Sequence, residues 1–203
     1  MYLRKLLLKC FDCIFPPHDT TLRVRNITPE KMRTLYALHT MDEVRTLSSY
    51  QDHDIRALVH EAKFYGNTEA HGLLNVLFKT YLDATNVTVD LIIPIPLSST
   101  RMRERGYNQV LAILNGGSKK YMVPILTDVL IRTRDTRPQT ELGRAERLLN
   151  MRDAFGVAHG EKITGKHILL IDDVTTTGTT LKTAKAELEK YSPASITMVA
   201  FTH

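Results

Sequence analysis

The 203-residue chain is 43% hydrophobic and 24% charged, which suits a soluble globular protein with a sizeable core. No apolar run approaches the length that spans a bilayer, and two cysteines do not make a disulfide framework. The net charge of +5 is uneven: residues 101–152 hold eleven Lys/Arg against five Asp/Glu, a net of +6, and the remainder is at −1. A basic middle suits an anionic ligand, either a polyphosphate or a nucleic acid, although a solubilising surface has the same composition.

The first 15 residues, MYLRKLLLKCFDCIF, start like a signal peptide. Lys9 and Asp12 interrupt the apolar part and no small-residue cleavage site follows, so an amphipathic helix or strand of a cytoplasmic protein is expected. Peripheral membrane contact by this segment is the alternative. Cys10 and Cys13 form one CxxC, half of a zinc site, with His18 as a third candidate ligand. No second pair or fourth ligand follows, so zinc is not expected and the pair is read as two partly buried thiols.

Pro16, Pro17 and Pro29 break up any long early element. Residues 35–41 and 44–50 read as a short hairpin. A helix follows, capped by Asp52 or Asp54, with Ile55, Leu58, Val59 and Ala62 along one side and an end near Gly66. Asn67 starts a second helix that buries Leu73, Leu74, Leu77 and Tyr81. Residues 89–95 read as a buried strand whose pairing ends at Pro94 and Pro96. The segment after it, SSTRMRERGYN at 98–108, reads as a loop bearing Arg101, Arg103 and Arg105. It lies at the ligand-binding end of a parallel sheet. A helix through 109–114 stops at Gly116-Gly117. Residues 121–126 and 128–133 read as one or two strands, and 134–150 as a long basic loop turning helical at 143–149. A strand at 155–157, a turn at 160–166 and a last strand at 195–201 complete the order. The turn, GEKITGK, has P-loop spacing, but His167 stands where Ser or Thr would hold magnesium and the turn precedes a strand, so it is set aside.

Residues 168–180, ILLIDDVTTTGTT, organise the rest. Ile168 to Ile171 form the continuous apolar run of a strand buried on both faces. Asp172 and Asp173 follow at its C-terminal end. A turn of Thr175, Thr176, Thr177, Gly178, Thr179 and Thr180 comes next, and then Leu181, Ala184 and Leu188 recur at helical spacing. Small residues admit a ligand close to the backbone, and the unpaired N–H groups of a helix start suit a phosphate. Two acids beside a phosphate cradle make sense as acceptors for sugar hydroxyls or as neighbours of a divalent cation.

This motif resembles the phosphoribosyl pyrophosphate (PRPP) signature of type I phosphoribosyltransferases. The resemblance implies that Asp172 and Asp173 hold the ribose hydroxyls and that Thr175 to Thr180 hold the 5-phosphate. KFYGN at 63–67, PIPLSSTRMRERGYNQ at 94–109, RTRDTRPQTELGRAERLLN at 132–150 and Ala154-Phe155 are similar to the competence protein F (ComF) family, from about residue 45 to 203. That likeness implies a type I phosphoribosyltransferase fold: α/β, with a central, mainly parallel sheet flanked by helices and a small N-terminal hood. Residues 1–50 would be a degenerate zinc-binding-like segment with hood, and 51–203 the phosphoribosyltransferase-like domain. By the same likeness Ser98, Ser99, Thr100 and Arg101 form the pyrophosphate loop, and residues 134–147 the loop that closes over PRPP. Typical members carry two CxxC pairs at the N-terminus, and this chain has one.

The implied chemistry is attack of a nitrogen on C1 of the ribose as pyrophosphate leaves, with Mg2+ on PRPP. Arg101, Arg134 and Arg137 would stabilise the leaving group while Asp172 and Asp173 orient the sugar. No protein metal ligands are assigned. The acceptor would be recognised by a hood from about residues 30 to 85, which shows no base-binding motif. The resemblance also implies natural transformation. The rival reading is therefore a non-catalytic competence accessory protein that handles single-stranded DNA, works with other competence proteins and keeps a regulatory or vestigial PRPP site. Tyr107 and Tyr121 are then the candidate aromatic platforms.

Overall fold

The computed structural model describes residues 18–116, 123–133 and 154–203. Four helices come from the first half. These are α1 (Asp19–Val24), α2 (Pro29–Leu35), α3 (His53–Phe64) and α4 (Thr68–Ala84), with the hairpin strands β1 (His39–Met41) and β2 (Val44–Thr46) between α2 and α3. The second half contributes β3 (Leu91–Pro94), α5 (Ser99–Arg105), α6 (Gln109–Asn115), β4 (Leu130–Arg132), β5 (Phe155–Val157), β6 (His167–Val174), α7 (Thr179–Glu189) and β7 (Ser195–Thr202).

The main sheet has the order β1-β2-β7-β6-β3. Only β1 and β2 are antiparallel, and β2–β7, β7–β6 and β6–β3 are all parallel. A separate ribbon pairs β4 with β5 antiparallel. The continuous apolar run of β6 has a direct cause, because successive side chains alternate between faces and both faces are covered. Leu169 and Ile171, with Val199 and Phe201, pack under α3, α4 and α6. Ile168 and Leu170, with Met198 and Ala200, pack under α7 and the β4–β5 ribbon.

The helix signals operate as chemistry requires. The Asp52 carboxylate accepts from Asp54 N at 2.8 Å and Ile55 N at 3.1 Å, and Asn67 Oδ1 accepts from Glu69 N and Ala70 N. The expected apolar stripes of α3 and α4 are buried, with Ile55, Leu58, Leu77 and Tyr81 fully so. Two acids on α3 hold the start of the described chain. Asp54 pairs with Arg23 at 3.0 Å and with Lys31, and Glu61 accepts from Thr20, Thr21 and Asn67 at 2.6–2.9 Å.

The structure departs from expectation in five places. The hairpin is shorter than 35–50, because Leu35 ends a helix started by Pro29 at its first position and by the Thr28 cap. Its turn, Asp42-Glu43, has positive φ at both residues, the form that matches strand twist. Residues 39–46, placed with the N-terminal segment in the sequence reading, lie in the main sheet. Pairing also runs through Pro94, which is in register with Ile171, and Ile95 N donates to Ile171 O. Pro94 shares the parity of Ile92, whose N–H faces Pro124 on the outer edge, so its missing donor costs β6 nothing. The described part of 121–126 makes a single parallel bridge, Ile125 to Ile92.

Finally, residues 99–105 are helical where a loop was expected. The Ser98 hydroxyl caps them by accepting from Arg101 N, and Gly106 closes them in the left-handed region at φ 77°. The expected helix at 143–149 lies outside the described residues.

Candidate active site

β3 and β6 run parallel side by side, with Pro94 opposite Ile171. Their C-terminal ends therefore deliver the 98–109 segment and the two carboxylates to one edge of the sheet, where open parallel sheets bind ligands. Strand β6 continues through both acids to Val174, so the pair is held by the sheet. Thr175 N donates to Thr202 O, which keeps the chain against β7 for one more residue. The loop then turns sharply. The Thr175 hydroxyl, buried, accepts from Gly178 N at 3.0 Å, and Thr177 and Thr179 hydroxyls meet at 2.8 Å.

Gly178 occupies the N-cap of α7 at φ 70° with no side-chain cap. A Cβ there would sit 3.0 Å from Val44 Cγ2. Glycine at this position thus serves both the turn and the close packing of β2. Gly178 has no side chain with which to cap α7, and the helix start carries partial positive charge. Thr176 and Thr177 are exposed, and Thr179 and Thr180 half-buried.

The two acids are not equivalent. Consecutive strand residues face opposite sides. Asp172 shares the parity of Leu170 and lies on the α7 side, under the charge of Arg132. Asp173 shares the parity of Ile171 and meets Gln109 at the start of α6, with Gln109 Nε2 donating to Asp173 Oδ2 at 2.6 Å. Desolvation, reinforced by the neighbouring Asp173 charge, holds the Asp172 carboxyl well above the usual carboxylate range. The hydrogen bond from Asp173 N and the Arg132 charge oppose this only in part.

Ser98 is buried as a cap, while Ser99, Thr100 and Arg101 lie exposed on the first turn of α5. Arg103 is exposed, and its Nη2 reaches Thr100 Oγ1 at 3.5 Å. Arg105 turns inward, with Nη1 donating to Gln109 Oε1 at 3.0 Å and its guanidinium 5.6 Å from the Phe64 ring centre. Arg132 places Nη1 3.4 Å from Pro96 O and its guanidinium over Phe155. Arg134, Arg137, Tyr121, Cys10 and Cys13 lie outside the described residues. His18, described and exposed, packs its ring against Tyr65.

Sequence reading singled out neither Gln109 nor Arg132 as a site residue. Each stands at the border of a motif that was noticed, one ending at Gln109 and one opening at Arg132. Nothing in a linear string says that Gln109 meets Asp173, 64 positions away.

Among the described residues no group of three or more His, Cys, Asp or Glu converges as a metal cage, and no helix is long and apolar enough to cross a membrane. The donor set at the strand end is oxygen-only, which suits a hard cation such as magnesium shared with a ligand's own oxygens.

Residues 78–202 match the model of the phosphoribosyl transferase domain family, more than half of the chain. The chain belongs to that family, and its fold is the type I phosphoribosyltransferase fold. Within it, the similarity points to competence proteins. The chain is 33% identical over 102 residues to competence protein F of Haemophilus influenzae, covering 50% of this chain and 44% of that protein. It is 32% identical over 129 residues to the DNA utilization protein YhgH of Escherichia coli O157:H7, covering 61% and 56%. It is also 36% identical over 96 residues to the competence protein ComFC of Streptococcus pneumoniae, covering 47% and 40%. These relatives bear out the ComF resemblance drawn from the motifs. The chain spans about half the length of the curated relatives it matches.

Proposed function

We propose that this protein binds Mg-PRPP at the C-terminal edge of its sheet and transfers the phosphoribosyl group to a nitrogen acceptor. The observation that carries the reading is the Asp172-Asp173 pair running directly into the Thr175–Gly178 turn and the glycine-started N-terminus of α7. The turn and the helix N–H groups would take the 5-phosphate. Asp172 and Asp173 would accept from the ribose hydroxyls. Magnesium, riding on the pyrophosphate and ribose oxygens, would supply charge for the leaving group.

As the acceptor nitrogen forms its bond to C1, the bond from C1 to the pyrophosphate oxygen breaks and its electron pair leaves with pyrophosphate. Positive charge then develops on the ring beside the acids, and negative charge on the leaving group. Arg101, Arg134 and Arg137 are assigned to the latter. The chemistry needs positioning and electrostatics more than a covalent nucleophile. Calorimetric titration with Mg-PRPP tests the binding step. Saturable, magnesium-dependent binding is expected, lost in the double variant Asp172→Asn with Asp173→Asn. A double variant that binds as the parent does would remove the assignment. Screening bases for pyrophosphate release would identify the acceptor.

A second reading, single-stranded DNA handling, has its own observation. Tyr107 is a poor stacking platform, because its hydroxyl is tied to Ala62 O at 2.6 Å and the ring is half-buried. Phe64 and Tyr65 are better placed, being 60% and 52% exposed beside Lys63 and Arg105. Exposed aromatics among cations suit stacked bases and a phosphate backbone. The names of the relatives, competence and DNA utilization proteins, support the same direction, with other competence proteins as partners.

A further inference from the structure

We propose that Gln109 is a positioning residue for the acid pair, setting the direction of the Asp173 carboxylate before any ligand arrives. The inference rests on the PRPP reading above. Gln109 is 3% exposed and is the first residue of α6. Its Nε2 donates to Asp173 Oδ2 at 2.6 Å and its Oε1 accepts from Arg105 Nη1 at 3.0 Å. A guanidinium has donors only, so Arg105 dictates which end of the amide faces it. The NH2 end is thereby left for Asp173. The second carboxylate oxygen, Oδ1, accepts from Val174 N at 2.8 Å. Both oxygens are thus engaged in one geometry by neighbours within the fold.

The surroundings make this contact matter. Gln109 and Asp173 border a cavity otherwise walled by Val59, Ala62, Leu74, Ile113 and Phe201. Without the amide, Oδ2 would face the apolar side of that cavity, and a half-buried acceptor that loses its donor there is costly. Asp173 would then swing away, and that change spoils its aim at a ribose hydroxyl. The support behind Gln109 is itself fixed. Asn108 Oδ1 caps Val110 N at 2.9 Å and its Nδ2 donates to Ile95 O at 2.9 Å, which ties the start of α6 to the exit of β3. Arg105 brings in α5, the helix whose first turn carries Arg101. One amide therefore links the ribose-side acid to the pyrophosphate-side helix, and positions held on rigid elements keep the geometry that binding needs.

The test is Gln109→Leu, with Gln109→Met as a second shape-matched variant should the first fold poorly. Mg-PRPP affinity is measured by calorimetry, inorganic phosphate affinity on the same samples, and folding by denaturant midpoint. A loss of about tenfold in Mg-PRPP affinity is expected, the scale of one hydrogen bond to a charged group, with phosphate affinity unchanged. The Gln109 side-chain amide resonance should shift in Asp173→Asn. A folded variant that binds Mg-PRPP as the parent does would overturn the role of Gln109 alone. A parent that binds no Mg-PRPP would overturn the functional reading itself. An amide resonance unmoved by Asp173→Asn would overturn the contact.

Discussion

At the scale of single residues, Asp172 determines how the site responds to pH. Its carboxyl is held well above the usual range by desolvation and by Asp173. Between the ordinary aspartate pKa and this raised one, the folded state binds the extra proton. Stability therefore falls as pH rises through that window. Asp172→Asn removes the penalty, so this variant should be more stable than the parent at neutral pH and show a flatter stability–pH curve, read by thermal melts. Asp172 should at the same time be the better partner for a cation once ionised. Mg-PRPP affinity in the parent should then rise with pH across the same window, and the rise should vanish in Asp172→Asn. Glu61 behaves in the opposite sense. Burial would raise its pKa, but hydrogen bonds from Asn67, Thr20 and Thr21 outweigh it and leave it lowered. Its contribution is present above the unfolded glutamate pKa and lost as acid protonates the folded form. Glu61→Ala should cost about 2 kcal/mol, the scale of hydrogen bonds to a charged group, and urea midpoints would show it.

At the scale of elements, the turn into α7 depends on one glycine. Gly178→Ala meets two obstacles, a left-handed φ of 70° and a Cβ 3.0 Å from Val44 Cγ2. A loss of about 1–2 kcal/mol is expected from backbone strain and crowding together, with a fall in inorganic phosphate affinity. Adding Val44→Ala should relieve the crowding but not the φ, so only part of the stability should return. Full recovery in the double variant would show that the backbone conformation is not the constraint. The same element is clasped from outside. Lys182 pairs with Asp42, and Lys185 with Glu43 at 2.9 Å, so the β1–β2 turn lies against α7. Exposed pairs of this kind contribute about 0–1 kcal/mol. The turn's position comes mainly from β2 pairing with β7 and Val44 packing on Gly178.

At the scale of the whole molecule, the basic excess has two competing uses. A backbone-tracking DNA surface should weaken steeply with salt, whereas a sugar-phosphate site should depend on magnesium. Phe64→Ala with Tyr65→Ala should lower single-stranded DNA affinity several-fold, on the scale of one stacked base, while leaving Mg-PRPP binding intact. Filter binding at two salt concentrations beside calorimetry separates the outcomes. Joint loss of both ligands would instead place the exposed rings within the PRPP site.

Much of this protein was legible in its linear pattern because local chemistry writes it there. Asp52 and Asn67 announce helix starts through their side-chain acceptors, and the uninterrupted apolar run of β6 announces a strand covered on both sides. The threonine-glycine turn suits a phosphate and the acid pair suits sugar hydroxyls or a divalent cation through their residue types, and the choice of PRPP came from the resemblance. What the string could not carry is whatever depends on non-local neighbours. The helix at 99–105 is the exception, since Ser98 caps it by accepting from Arg101 N only three residues on, a local signal. That pairing survives Pro94 depends on which edge its missing N–H faces. That Asp172 and Asp173 have different surroundings depends on strand parity between two unlike layers, with Arg132 on one side and Gln109 on the other. Residue identity determined which chemistry was available, and long-range packing decided which partner each group received, because hydrogen bonds and desolvation act between atoms that are near in space whatever their separation along the chain.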